Sequence, residues 1–374
     1  MRFYSDNTAT ACPEILAALT QANQGLALAY GDDQWTQRLD AALGGFFGAE
    51  VRAFAVATGT AANALSLATL SPPYGAIYGH EEAHIATDEC GAPGFFSGGA
   101  QLVPLPGAAG KLTLEALQLA LDAHPASVHT VQPAAVSLTQ ATELGTVYRP
   151  AEIAALSNLA HQRGLRVHMD GARFANAVAF LDCHPAELTW RAGVDVLSLG
   201  ATKNGALAAE AVVFFDRELV RDFELRRKRA GHLLSKSRYV AAQLLAYVES
   251  GVWRRNAERT NRLAQDIGRA AAASLMHPVQ ANEVFVGLGV QRRQALRAAG
   301  FEFYDWGAEG TGAARFVVSW DQPDADLPAL CAALGRLRAP PQAAAPASAR
   351  ARAGWWTPAL ARHGSPAAGR RSCR

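Results

Sequence analysis

Two segments decide how this chain is read: V-H-M-D-G-A-R (Val167–Arg173) and L-G-A-T-K-N-G (Leu199–Gly205). Each follows or closes a short apolar run of the kind expected for a strand buried on both faces, the second being D-V-L-S-L (Asp195–Leu199). Asp170 ends the first run, and Lys203 comes 33 residues later. Two such strands would deliver a carboxylate and an amine to the same edge of one sheet. That pair suits a pyridinium cofactor, with the acid at the ring nitrogen and the amine at the aldehyde.

Working outward, the segments on either side alternate between strand and helix. A helix is expected from Pro13 to near Gly25 and another from Trp35 to Phe47, with Asp32 or Asp33 as its N-cap. F-A-V-A-T-G-T-A-A-N-A-L-S-L (Phe54–Leu67) reads as a strand turning at Thr58-Gly59-Thr60 into an alanine-rich helix. The bare amides at that helix start would suit a phosphate. Gly59 and Thr60 equally well form only a cap and turn, because the spacing matches neither a P-loop nor a dinucleotide fingerprint. Further strands are expected at Gln101–Pro104, within Val128–Leu138 (where Pro133 limits pairing) and at Ala211–Phe215. Helices are expected at Leu112–Ala123 and Pro150–Arg163. The pattern predicts an α/β fold with a largely parallel sheet covered on both faces.

After Asp216 the pattern changes. Arg217–Ala273 reads as almost wholly helical, and its basic run Arg226–Arg229 is either a solvated face or a phosphate contact. Asn282–Leu288, Val290–Gly300 and Ala314–Trp320 suggest a smaller β-α-β unit. The expected domains are residues 1–240 with an N-terminal arm, 241–338, and a disordered basic tail at 339–374.

Composition narrows the function classes. Half of the 374 residues are apolar and 18% are charged, which suits a globular protein of two domains. The net charge is +2, and setting aside the six arginines of the tail leaves a mildly acidic body of −4. That balance argues against a nucleic-acid surface. Five scattered cysteines without a C-x-x-C argue against a disulfide framework or zinc ribbon. With no signal-like N-terminus and no bilayer-length apolar run, a cytoplasmic protein without membrane attachment is expected.

H-E-E-A-H (His80–His84) matches a zinc-hydrolase pattern, which requires both histidines on one helical face. The strand-like A-I-Y-G before it favours a loop instead, from which His84 would stack on a cofactor ring. T-Q-A-T-E-L-G-T-V-Y-R-P (Thr139–Pro150) follows a strand end, where open α/β sheets place ligand contacts. Arg315 opens the last strand segment, as a solvated arginine or as a bidentate clamp on a substrate carboxylate.

These residues resemble a known family. S-D-N-T, Y-G-D-D, T-G-T-A-A-N, H-I-A-T-D-E-C-G, H-M-D-G-A-R, T-K-N-G and R-F-V-V-S-W-D occur in the order found in the low-specificity threonine aldolases. That family uses pyridoxal phosphate on the aspartate-aminotransferase fold (fold type I), with a mainly parallel seven-stranded sheet and a smaller C-terminal α+β domain. The resemblance covers roughly residues 3–335. It implies retro-aldol cleavage of threonine, allo-threonine and related β-hydroxy-α-amino acids to glycine and an aldehyde. The same cofactor would also permit β-elimination or racemisation.

By the resemblance, Lys203 would bind the cofactor covalently and Asp170 would pair with its ring nitrogen. Arg173 would lie near its phosphate and phenolic oxygen, Gly59 and Thr60 would hold the phosphate, and His84 would stack on the ring. Ser5 and Arg315 would bind the substrate carboxylate, and His84 or a water it holds would serve as base. A homodimer or homotetramer is implied, with the Y-G-D-D loop reaching a neighbour's site. The chain departs from the family in two places. Thr142 stands where many relatives carry a substrate-contacting histidine, and G-H-L-L-S-K-S-R (Gly231–Arg238) replaces a glycine run after Arg229.

Overall fold

The computed structural model describes residues 1–125, 127–307 and 311–336; the basic tail lies outside them. Seven strands form the main sheet: β1 (Arg52–Val56), β2 (Gly75–His80), β3 (Gln101–Leu105), β4 (Gln132–Thr139), β5 (Arg166–Gly171), β6 (Val196–Gly200) and β7 (Glu210–Phe214). Their spatial order is β1-β7-β6-β5-β4-β2-β3. β7 runs antiparallel to β1 and β6, and the remaining pairs are parallel. The sheet is therefore mainly parallel, with one reversed strand that the apolar run at Ala211–Phe215 did not reveal. Pro133 acts on pairing as expected: the β2–β4 register shifts between Ala76 and Ile77, so that Pro133 and Ala135 face successive β2 residues.

The period of two in each strand divides the core into two layers. Ala53, Val167, Met169, Leu197, Leu199 and Val213 face one apolar cluster, which the Pro13–Ala22, Leu39–Phe47 and Pro150–Gln162 helices cover. Phe54, Val56, Val196, Val212 and Phe214 face the other cluster, together with Leu65 and Leu67 of the Gly59–Leu70 helix. His168 and Asp170 lie on that second face, where alternation in β5 puts them.

The helix expected from Trp35 starts as a 3-10 turn at Thr36–Arg38 and becomes α-helical over Leu39–Phe47. Asp33 holds the entry to that turn, its Oδ1 accepting from the amides of Trp35 (3.1 Å) and Thr36 (2.8 Å). The segment 217–273 is helical in pieces rather than continuously, broken at 230–237 between Phe223–Arg229 and Arg238–Glu249. The small sheet differs from the β-α-β reading. β8 (Glu283–Gly287), β9 (Tyr304–Trp306) and β10 (Ala313–Val317) pair antiparallel in the order β8-β10-β9. β9 spans only three residues, too few for a periodicity to show. The N-terminal arm lies on this unit: Phe3 donates to Glu302 O (2.8 Å), accepts from Val317 N (2.9 Å), and is buried in the small apolar cluster. The Val252–Ala270 helix joins both cores, with Trp253 and Ala257 in the large one and Leu263 and Ile267 in the small one.

Candidate active site

The carboxyl ends of β1, β2, β4, β5 and β6 share one edge of the sheet, and the start of the reversed β7 joins them. That edge gathers Gly59, His84, Glu143, Asp170, Lys203 and Glu210 from distant parts of the sequence. Register fixes the neighbours: Thr139 and Ser198 flank Asp170, and Gly200 and Val56 flank Glu210.

Asp170 is 4% exposed. Its Oδ1 accepts from Ala172 N (3.0 Å) and its Oδ2 from Asn63 Nδ2 (2.8 Å). Asn63 sits one turn into the helix that begins at Gly59, so the helix start and the carboxylate are coupled through one side chain. Thr58 Oγ1 accepts from Ala61 N at 3.2 Å, while the other first-turn amides of a helix have no partner within it. A Cβ placed on Gly59 would meet nothing within 4 Å, so the space in front of those amides is open.

Lys203 lies in the short turn Thr202–Asn204. Asn204 Nδ2 anchors that turn to Tyr247 Oη (2.8 Å) and Trp253 O (2.7 Å). Gly205 follows at φ +111°, where a Cβ would also come within 2.7 Å of Asn256 Nδ2, so glycine is required there. The end of β6 approaches that of β5 closely: a Cβ on Gly200 would lie 2.8 Å from the Ala172 backbone. The Asp6–Thr8 turn packs against the lysine turn, and the lysine's charge is felt by Asp6, His84, Glu210 and Glu283.

Two arginines and two acids lie beside the lysine. Arg173 donates from Nε to Asp6 Oδ2 (2.8 Å) and from Nη2 to Asp6 Oδ1 (3.0 Å), and its Nη1 is 3.3 Å from Glu283 Oε2. Burial would raise the Asp6 carboxyl, but the charges of Arg173 and Lys203, with hydrogen bonds from Arg173 and Asn282, hold it at about 2. Burial also raises Glu283, against the pull of Arg173 and Arg315. Arg315 is the third residue of β10 rather than its first. Its Nη1 is 3.8 Å from Glu283 Oε1, and its guanidinium lies over the rings of Tyr304 and Trp306. Ser5 caps the adjacent turn, its Oγ accepting from Asn7 N at 3.1 Å.

The H-E-E-A-H segment is not a helix. His80 is the last residue of β2 and its Nε2 meets Gly107 O at 3.0 Å, whereas His84 begins a four-residue helix after a turn. The two imidazoles share no helical face, so the zinc-hydrolase reading loses the geometry it needs. His84 Nδ1 is 2.9 Å from Glu89 Oε1, and its Nε2 is 3.4 Å from Asp88 Oδ2. The Glu89 hydrogen bond raises the His84 pKa despite burial, and burial raises that of Glu89.

Thr142 is fully buried and its hydroxyl turns into its own loop, 2.8 Å from Thr146 Oγ1 and 3.3 Å from Ala109 O. The next residue, Glu143, accepts from His84 N at 2.7 Å. Glu143, Glu89, Asn63, Glu210 and Glu283 were not singled out from sequence. For Asn63, Glu210 and Glu283 the available signal was a polar residue inside or at the start of an apolar run, as in A-A-N-A-L, A-E-A-V-V-F and N-E-V-F-V; Glu89 and Glu143 lie in polar stretches without that signal.

Behind the acid, His168 is fully buried, with Nδ1 2.9 Å from Ser137 Oγ and Nε2 2.9 Å from Ser198 Oγ. Burial pushes the imidazole down to about 4, against the pull of Asp170. An unfolded chain takes up that proton near pH 6.5, so the stability this group contributes falls by up to about 3 kcal/mol as pH drops from 6.5 to 4. The His168 resonances of isotope-labelled protein are expected to stay those of neutral imidazole down to about pH 5. Protonation near its ordinary value would show that the layer beneath Asp170 is wet.

Several buried atoms around this edge have no hydrogen-bond partner among the described residues: Asn63 Oδ1, Glu89 Oε2, Glu143 Oε2, both Glu283 oxygens and Arg315 Nε. Buried polar groups are rarely left unpaired, and such a concentration marks the place of a polar ligand. A phosphorylated pyridine aldehyde fits the donor set, with helix-start amides for the phosphate, Asp170 for the ring nitrogen and Lys203 for the aldehyde.

Comparison with known proteins agrees with that fit. The family of beta-eliminating lyases matches residues 2–290. The low specificity L-threonine aldolase of Pseudomonas aeruginosa is 47% identical over 325 residues, 86% of this chain and 93% of that protein. The enzyme of the same name from a Pseudomonas species is 45% identical over 336 residues, 88% of this chain and 96% of that protein. Among solved structures, Leishmania major threonine aldolase superposes with a TM-score of 0.84 at 24% identity, covering 90% of this chain and 99% of that one. A Sphingomonas wittichii serine palmitoyltransferase superposes with a TM-score of 0.68 at 17% identity, over 90% and 86% respectively, which extends the shared fold to other chemistry.

Proposed function

This chain belongs to the low specificity L-threonine aldolases, and from that membership we propose how its own residues carry out the reaction. It is a pyridoxal-phosphate-dependent lyase that cleaves threonine and related β-hydroxy-α-amino acids to glycine and an aldehyde. The observation that carries the reading is the delivery of Asp170 and Lys203 to one sheet edge, amid buried polar atoms that lack partners. When bound, the cofactor supplies an electron sink for the pair released at Cα.

We assign Lys203 to the cofactor aldehyde, Asp170 to the ring nitrogen, and Gly59 and Thr60 to the phosphate. His84, fixed between Asp88 and Glu89, covers the ring face. Arg315 and Ser5 take the substrate carboxylate and so set which Cα bond stands perpendicular to the ring. Arg173, neutralised by Asp6 and Glu283, positions both the arm carrying Ser5 and the strand carrying Arg315. Thr142 shapes the substrate side through its loop, its hydroxyl being bound within it.

Residues 1–240 supply the cofactor side and residues 241–338 the arginine clamp. The substrate is a small amino acid, and no helix among the described residues is long and apolar enough to cross a membrane. We infer a cytoplasmic homodimer or homotetramer: Leu26, Leu28 and Tyr30 are exposed around the Y-G-D-D loop, which Tyr30 N ties to Ser235 O at 3.0 Å.

Incubation of the holoenzyme with L-threonine, L-allo-threonine and phenylserine tests the activity, with glycine and aldehyde assayed separately. Equal yields of both are expected. A 2-keto acid and ammonia without glycine would reject aldol cleavage in favour of β-elimination.

A further inference from the structure

We propose that Glu143 is a catalytic residue of this site, its Oε2 taking the proton of the substrate's β-hydroxyl. The inference rests on the reading of the site as one for β-hydroxy-α-amino acids. It starts from the loop after β4, where relatives often place a histidine and this chain has Thr142-Glu143. The Thr142 hydroxyl is occupied within the loop by Thr146 and the Ala109 carbonyl. Glu143 instead turns toward His84 and accepts from its backbone amide at 2.7 Å through Oε1. That bond fixes the carboxyl, and among the described residues Oε2 is buried with no partner in hydrogen-bond geometry. A fixed, buried, unpartnered acceptor beside the residue assigned to the ring face is the group a substrate hydroxyl would meet.

The His84 side chain is less suited to that task. Its two nitrogens face Glu89 and Asp88, and the Glu89 bond holds it toward the protonated form, a donor. Glu143 is acted on by the Asp170 charge from β5, which raises it, and by hydrogen bonds from the His84 amide, its own amide and the Thr139 side chain at the end of β4, which lower it; its charge is felt by Arg173 and by Tyr148 across the loop. Burial first, then the Asp170 charge, raises its carboxyl to about 7, so the ionised, proton-accepting form is present at neutral pH and grows above it.

In the step assigned to it, the substrate O–H bond breaks and its proton bonds to Glu143 Oε2. The O–H electron pair becomes the second C–O bond of the aldehyde, the Cα–Cβ bond breaks, and its pair stays on Cα. Cα takes up a proton to complete glycine, and Glu143 returns its own to solvent, so the atoms of the amino acid are shared between the two products.

The test compares wild-type, Glu143→Gln and Glu143→Asp holoenzymes by kcat/KM across pH, by visible spectrum, and by solvent deuterium exchange at Cα of glycine. Glycine has no β-hydroxyl, so exchange does not need the assigned proton transfer. Glu143→Gln is expected to lower kcat/KM for cleavage by about 10²–10³-fold, with Glu143→Asp recovering part of it. The wild-type rise of kcat/KM through pH about 7 should vanish in Glu143→Gln. The visible band should be retained, and glycine exchange should fall by less than about threefold. The proposal is overturned if Glu143→Gln cleaves within about threefold of wild type with the same pH limb. It is also overturned if exchange and cleavage fall together, or if the visible band is lost. A wild-type enzyme that exchanges glycine but cleaves no β-hydroxy amino acid would overturn the activity itself, and with it the proton assigned to Glu143.

Discussion

Lys203→Ala is expected to give a folded, colourless protein whose kcat is lower by about 10⁴-fold or more, equivalent to roughly 5.5 kcal/mol of transition-state stabilisation. The lysine's turn is held by other groups, which is why the fold should survive. Asn204 anchors it to Tyr247 and Trp253, and Ala201 N donates to Glu210 Oε2 at 3.2 Å. The amine itself acts on Asp6, Glu210 and Glu283 only through its charge. Two of the other lysines are engaged elsewhere: Lys111 is paired with Glu152 and Lys228 lies over the Tyr30 ring. Visible absorbance and far-ultraviolet circular dichroism check the two halves of the prediction. A variant that keeps both its colour and its turnover would remove Lys203 from the chemistry.

The second large effect is expected for Asp170→Asn. The amide keeps the shape and can still meet Ala172 N, but it carries no charge to hold a proton at the ring nitrogen. A loss in kcat of about 10²–10³-fold is expected, the range for removing one preorganised electrostatic group. The substitution also has a signature beyond rate. The Asp170 charge raises both Glu143 and His84. Removing a neighbouring negative charge makes a carboxyl easier to ionise and an imidazolium easier to deprotonate, so both should shift downward. The acid limb of the pH–kcat/KM profile should therefore move to lower pH in whatever activity remains. An unchanged limb would separate Asp170 from Glu143 electrostatically, contrary to their places at the ends of β5 and β4.

The main sheet was legible because its strands are buried on both faces. D-V-L-S-L and F-A-V-A carry enough apolar residues to be read without partners, and Thr58-Gly59-Thr60 marks the helix start by cap chemistry. What the sequence did not carry was strand direction, since an antiparallel β7 has the same apolar content as a parallel one. β9 is too short for a pattern, and the arm's attachment to the small sheet depends on a tertiary partner, Glu302.

The site divides in the same way. Asp170 and Lys203 stand at strand ends where the topology forces them together. Glu143 was hidden by its neighbour, because matching the loop residue by residue to a family histidine points to Thr142. Only the loop's internal hydrogen bonds show which side chain faces His84. Glu210 and Glu283 belong to the common case of acids inside or at the start of apolar stretches, and Glu89 lies in a polar turn; the burial of all three is visible only once the opposite wall of the site is in place.

At the centre of the mechanism stands the proposal that the β5 acid and the lysine after β6 hold pyridoxal phosphate between them. Its most direct test is borohydride reduction of the holoprotein, proteolysis and mass spectrometry. A single pyridoxyl-phosphate adduct on the peptide containing Lys203 is expected. An adduct on Lys111, Lys228 or Lys236 instead, or none on a protein that still cleaves its substrate, would contradict it.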